Sequence, residues 1–430
     1  MTTTAAEPAY WSSIQKIAFR FFTLFFVLYI FFNPNGVIPF TDGLFNFYIQ
    51  PFHTFIPWLA KHVLHLGKAI TIFTNGSGDT TYDYLIILFL TTVSSAGAII
   101  WSITGRKTRN YNKLLYWLTV VIRYYVAITM VSYGCAKIIK LQFPSPSFGK
   151  LTEPVGNMSP MGLAWTYMGY STGFNYFTGF AELIAGLLLF FRKTTALGAI
   201  IGLVVAGNIM AINYCFDVPV KLLSTFLVLM CLFLMIRDTT RLINFFFRNR
   251  EALPSNLSPH RFKARWKNIT LCVIKFILIA FTIWSNFANC VSLAKQYGDN
   301  GKKPPLYGLY KVESFAINNN ILPPLTTDTT RWNKFWISYP GGFTIKLMND
   351  STKYYPAKTD TIKHQIVVNL PTDTVRVYTL NYSFEKPDIM ILKGNWKQDS
   401  VLIRLHKMDP KNFPLLKRGF HWVNEFPYNK

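Results

Sequence analysis

Charge is what this sequence has least of. Asp, Glu, Lys and Arg make up 15% of its residues, where a soluble domain carries about a quarter. Acid is scarcer still: 20 Asp and Glu face 44 Lys and Arg, a formal net charge of +24. The shortage is local, because long apolar runs alternate with charged segments. That pattern excludes an ordinary soluble globule, and the runs have roughly the 20-residue length needed to cross hydrocarbon. In a soluble chain the basic excess would suggest nucleic acid. Here much of it sits in short loops between apolar runs, where it fixes membrane topology, so nucleic-acid binding is set aside. Cysteine is also sparse. Cys135, Cys215, Cys231, Cys272 and Cys290 all lie in or at the ends of apolar segments, and no Cys-x-x-Cys occurs. This excludes a disulfide framework and a zinc or iron–sulfur ligand set. Buried thiols are the expectation, with Cys135 and Cys215 as a candidate redox pair. No small-residue cleavage site follows the first apolar run, so that run reads as a retained helix.

What is there is a series of about seven spans, near residues 14–33, 84–104, 115–141, 174–191, 194–214, 219–236 and 269–290. Loop charge orients them. "GRKTRNYNK" joins the second and third spans and "RK" the fourth and fifth. Eight Lys and Arg stand between the sixth and seventh, against Asp238 and Glu251. The opposite loops hold only Lys61, Lys68 and Lys150 as basic residues. Positive-inside bias places the N-terminus in the cytoplasm and everything after residue 290 outside. In a Gram-negative cell this means the cytoplasmic membrane and the periplasm.

The first outer loop contains "FHTFIPWLAKHVLHLGKAI", with apolar residues at helical spacing, expected as an interfacial helix. "TNGSGDTTYDY" follows with turn and capping residues. His62 and His65 share a helix face, with His53, Asp79 and Asp83 nearby. They are weak metal candidates that lack a third ligand. From about residue 291 the character changes to period-2 segments such as "YGLYKVESF", "WNKFWISY" and "SVLIRLHKM". Turn residues separate them, and "KGNWKQDS" reads as a hairpin. The expectation is an antiparallel sandwich or small barrel. The final "RGFHWVNEFPYN" is expected to pack on that domain or on the membrane surface.

Ionisable groups inside spans are costly, and by default they are paired or functional. Arg20, Arg123 and Lys275 lie about 10 Å in from the cytoplasmic ends of their helices, within snorkelling reach; for Arg123 a bundle-facing role with Tyr124 or Tyr125 is the alternative. The outer half collects more: Tyr133, Lys137 and Lys140, then Glu182, then Asn208, Asn213 and Asp217, then Lys221. Lys140 can snorkel. Glu182 cannot, because its stem is short and it lies roughly 12 Å deep. Lys137 is the counter-charge within reach. The pair is either a strut that fixes helix register or part of a polar ligand site. Gly179, Ala181, Ala185 and Gly186 favour close helix approach in both cases.

At these residues the chain resembles the DoxX-like membrane protein family. The motif is a Gly and Lys closing one helix, a Gly-x-x-Glu-x-x-x-Gly helix, then a basic turn with Thr. It maps to Gly134, Lys137, Gly179, Glu182, Gly186, Arg192, Thr194 and Gly198. The match covers a four-helix unit over 115–240, between N-terminal helices (1–114), a basic loop with a last span (241–290) and the β-rich domain (291–430). The resemblance implies a membrane redox subunit that works with a redox partner and a quinone. Three readings stay open: such a subunit, a non-catalytic scaffold or carrier that recruits a protein partner or lipid through the β domain, and a transporter. No inverted repeat or paired broken helices support the last.

Overall fold

The computed structural model describes residues 11–35, 42–72, 78–251, 262–370 and 373–429. Parts of the capping stretch before the second span and of the long basic loop lie outside them. In chain order the helices are α1 (Ser13–Phe32), α2 (Asp42–His62), α3 (Thr81–Thr104), α4 (Asn112–Ile138), α5 (Phe148–Thr152), α6 (Pro160–Tyr170), α7 (Thr172–Phe190), α8 (Thr195–Cys215), α9 (Lys221–Ile236), α10 (Thr239–Phe246) and α11 (Arg265–Gln296). Among the described residues six spans are long and apolar enough to cross a membrane: α1, α3, α4, α7, α8 with its preceding turn, and α11. The pair α9–α10 makes a seventh if its 83° bend is counted within one span. The chain is a polytopic helical membrane protein. Two compact units divide it: residues up to Gln142 with Gly173–Ser292, and Phe143–Thr172 with Leu293 onward.

In the helical unit, local chemistry sets the starts. Ser12 and Gln15 form a capping box on α1, and Thr80 and Asp83 form another on α3, each satisfying backbone N–H groups that the first turn leaves open. α4 is the central helix, with 56% of its most apolar window buried. Aromatic rings fill the space between α1 and α9; Tyr29 and Phe226 lie 4.4 Å apart and Phe25 and Phe226 5.4 Å. The expected interfacial helix starts earlier and ends sooner than its pattern suggested, at Asp42–His62. Its Ile49, Ile56 and Ala60, on one helical face, are buried in the bundle core, so it packs on the bundle.

The second unit holds nine strands: β1 (Gly308–Ile317), β2 (Asn320–Ile321), β3 (Trp332–Ile337), β4 (Gly342–Leu347), β5 (Thr352–Asp360), β6 (Gln365–Leu370), β7 (Asp373–Lys386), β8 (Ile389–Trp396) and β9 (Asp399–Met408), followed by α12 (Pro414–Lys417). β1 and β3–β9 form an antiparallel meander, and β1 pairs with β9 to close an eight-stranded barrel. Closure removes the sheet edges. The "KGNWKQDS" hairpin is present, with Trp396 opposite Asp399 and Lys397 at φ 59° in the turn. Inward residues fill the interior, among them Tyr310, Trp332, Phe335, Phe343, Leu380, Met390 and Ile403, as an eight-stranded barrel of this width requires.

The segment 143–172 is more than the plain outer loop the sequence suggested. α5 lies on the outer face of β1, β3 and β4. Phe148 packs with Leu309 and Trp336, each the outward neighbour of an inward Tyr310 or Phe335. The ammonium of Lys346, 4% exposed, donates to the Thr152 carbonyl at 2.7 Å and pairs with Asp350 at 2.8 Å. Ser145 holds both carboxylate oxygens of Asp299, through its N–H at 2.9 Å and its hydroxyl at 2.7 Å. Of the two places expected for the final aromatic segment, the barrel does not cover its rings: Phe420, Trp422 and Phe426 are 77%, 91% and 84% exposed.

Phe148→Ala is expected to destabilise this attachment by about 3–5 kcal/mol, the usual cost of emptying a buried Phe site. Limited proteolysis of the purified chain should then cut within 143–172 faster than in the wild type; an unchanged rate would mean α5 is not held by that ring.

Candidate functional site

α4 and α7 run antiparallel at close range, and glycine makes this possible. A Cβ on Gly134 would come within 2.8 Å of the Gly179 carbonyl oxygen and 2.9 Å of the Leu183 nitrogen. On Gly186 it would meet the Ala127 carbonyl at 2.7 Å. These are backbone atoms and cannot move aside, so any larger residue would push the helices apart. Three residues beyond each of the first two glycines stand Lys137 and Glu182. Their side chains form an ion pair, Nζ to Oε1. Lys137 is 4% exposed and Glu182 1%. The second carboxylate oxygen, Oε2, is buried with no hydrogen-bond partner. A buried acceptor left open costs about 1–3 kcal/mol, more when charged, so this atom is poised for a donor.

Tyr133, one helical turn before Lys137 on α4, lies within electrostatic reach of Glu182. Its ring also lines a cavity of about 240 Å³ with Tyr29, Asn33, Asn35, Asp83 and Leu223. The walls are the end of α1, the start of α3, α4 and the start of α9, so the cavity opens at one membrane face. Tyr125 donates to the Asn33 carbonyl at 2.9 Å behind it. A larger hollow of about 820 Å³ between α1 and α3 is lined mainly by Ile14, Ile17, Phe21, Phe22, Ile99 and Ile103, with Ser95, Ser102 and Arg106 as its polar members.

The other predicted residues separate into different roles. Asn213 is buried, but its amide donates to the Val220 carbonyl at 3.2 Å and to Ser224 Oγ at 3.1 Å, joining α8 to α9. Asn208 is exposed and outside the site. Lys221 pairs with Asp217 at 2.8 Å and lies 3.9 Å from Asp79. A hydrogen bond from Lys221 holds the exposed Asp217 carboxyl below the usual carboxylate range. Lys221 and Asp217 thus form a surface clasp and do not join the Glu182 pair. Gly198 packs its α-carbon against Leu188 and Leu189 of α7, and Thr194 bonds the Leu188 carbonyl at 2.6 Å, so both tighten the α7–α8 turn.

Asp79 was missed as a structural residue. It accepts from the N–H groups of Lys221 at 2.7 Å and Leu222 at 3.0 Å, capping α9 from a distant loop. Asp83 caps its own helix. With these oxygens committed, the histidine–aspartate grouping gains no support; His62 Nδ1 sits 3.0 Å from the Trp58 carbonyl and its ring stacks on Trp58. Among the described residues no three His, Cys, Asp or Glu side chains gather as a metal site. All five cysteines are free thiols, Cys135 buried in the core with Cys290 and Cys215 exposed, and no disulfide joins Cys135 to Cys215.

Arg20 corrects the snorkelling expectation. It is buried, with bonds to Tyr111 at 2.9 Å, Ser102 at 2.7 Å and the Gly105 carbonyl at 3.1 Å. Arg123 is likewise buried and takes the bundle-facing alternative, over the Tyr124 ring.

No protein-family model and no solved structure matches this chain. It is similar to the uncharacterized protein YwoB of Bacillus subtilis (strain 168), 39% identical over 126 residues, which is 29% of this chain and 79% of that protein. The chain belongs to the YwoB family. That kinship fixes descent and leaves activity open, and most of this chain, 71% by the same coverage, lies beyond the similarity.

Removing one half of the buried pair strands the other. Lys137→Met is expected to cost about 3–5 kcal/mol, whereas Lys137→Met with Glu182→Leu should cost far less. Thermal unfolding of both variants in detergent checks this; a double variant no better than the single would show that the charges are not coupled.

Proposed function

We propose that the chain is a membrane-embedded binding subunit that holds a small polar head group in the outer half of its bundle, and that a quinone is the ligand class. The observation that carries this is the Glu182 carboxylate: one oxygen on Lys137, the other open, beside a tyrosine that walls a polar cavity. The residues fit such a group. The Lys137 ammonium and the Tyr133 phenol can donate to a carbonyl oxygen, and Glu182 Oε2 can accept from a hydroxyl or hold a proton. A quinone supplies two-electron, two-proton redox chemistry when bound, its electrons coming from a membrane redox partner. The DoxX-like resemblance supports the quinone, and the small cavity supports a head group in preference to a large polar solute. The charge of the loops supports a cytoplasmic N-terminus in a bacterial cytoplasmic membrane, with the barrel on the periplasmic side.

A second reading, a scaffold that recruits an extracytoplasmic protein partner through the β-rich unit, is favoured by one observation: the exposed aromatics Phe420, Trp422 and Phe426. Exposed aromatic clusters mark interaction surfaces.

A soluble quinone analogue titrated into purified protein should bind, and Glu182→Gln should weaken it roughly tenfold or more, the worth of a charged hydrogen bond. Equal affinity in the variant would remove the site. For the topology, an alkaline phosphatase reporter fused after Met408 is expected to be active in a bacterial host and one fused after Arg250 inactive; the reverse would invert the orientation.

A further inference from the structure

At the opposite end of the bundle three cations, Arg123, Arg192 and Lys275, gather. Arg123 of α4 is 5% exposed. Its Nη1 donates to Thr195 Oγ1 at 3.3 Å, and its Nε is buried with no partner. Thr195 begins α8, and no side chain caps that helix start. The Thr195 hydroxyl is engaged with the Phe191 carbonyl at 3.1 Å. Over the Phe191 ring, 4.7 Å from its centroid, stands the ammonium of Lys275 from α11. Arg192, in the turn between them, donates to the Tyr116 hydroxyl at 2.7 Å and lies over its ring. The three charges lie close enough to feel one another. Among the described residues no carboxylate reaches Arg123 or Lys275.

Like charges gathered with little water are unfavourable unless something of opposite sign joins them. Aromatic faces offset only part of that, about 0.5–2 kcal/mol each. Depth indicates what would join them. The connection between α7 and α8 is four residues long, so it reverses the chain at the membrane surface. Arg123, anchored to Thr195, therefore presents its guanidinium at head-group level. A guanidinium edge with an open N–H suits a phosphate oxygen, the start of α8 adds its positive end, and basic pockets between membrane helices take lipid phosphates.

We propose that Arg123 and Lys275, with Arg192 and the start of α8, form a binding site for a phosphate group, that of an anionic phospholipid in the adjacent leaflet. The site is separate from the Lys137–Glu182 pair and from the cavity walled by Tyr133, and its test does not involve quinone.

The test uses the full chain, delipidated in neutral detergent, with phosphatidylglycerol, phosphatidylcholine or inorganic phosphate added. Melting temperature and lipid retention in native mass spectrometry are the readouts. Phosphatidylglycerol should stabilise and be retained, and phosphatidylcholine should not. Lys275→Gln should weaken phosphatidylglycerol about fivefold, the worth of one cation near an anionic lipid, and Arg123→Gln should abolish its effect. If Arg123→Gln does not fold, Lys275→Gln, at a partly buried position, decides alone. Stabilisation by inorganic phosphate to the same extent, lost in the same variants, would keep the anion site and make its source soluble. Equal response to the two lipids, or a full phosphatidylglycerol response in Lys275→Gln, would overturn the proposal.

Discussion

A charge inside hydrocarbon has to find its partner within the protein, because no water is there to supply one. The Lys137–Glu182 pair meets this constraint, and much of the surrounding helix geometry follows from it. The pair forms only if α4 and α7 come within a side chain's reach, and they do so because Gly134, Gly179 and Gly186 leave room for backbone against backbone. Glu182 Oε2 stays open within this tight arrangement, an acceptor that a strut alone would gain nothing by leaving unpaired.

The same constraint is met differently at Arg20. There no acid is at hand, and two hydroxyls with a backbone carbonyl accept all the bonds. An arginine so surrounded has an acceptor at each of its three nitrogens. Arg123 is less well served, with one nitrogen on Thr195 and another on nothing. The contrast between two buried arginines in one bundle separates a structural cation from one with capacity left over.

Much of the framework could be read directly. Apolar runs of spanning length gave the helices within a few residues, and the Thr80–Asp83 capping pattern is local enough to recognise. Glu182 stood out because a short acid deep in a span has few physical alternatives, and Lys137 followed from reach. Asn208 could have been set aside: five residues from Asn213, it lies about 140° around the helix and faces elsewhere. The burial of Arg20 was not legible, because it depends on which helix stands beside it, and hydropathy carries no such information. Nor was the α5 attachment, whose partners Phe148 and Trp336 are separated by a whole series of spans.

That attachment bears on biogenesis. β1 completes its pairing only with β9, at the far end of the domain, and α5 lies on a surface that exists only once β1, β3 and β4 are in place. Phe148 leaves the ribosome some 160 residues ahead of Leu309, a wait of roughly 10–30 s at ordinary synthesis rates. During it a greasy helix stands unpartnered, and so do the first strands until the last arrives. This chain is therefore one whose yield should depend more on the speed of synthesis and on holding chaperones than on its final stability.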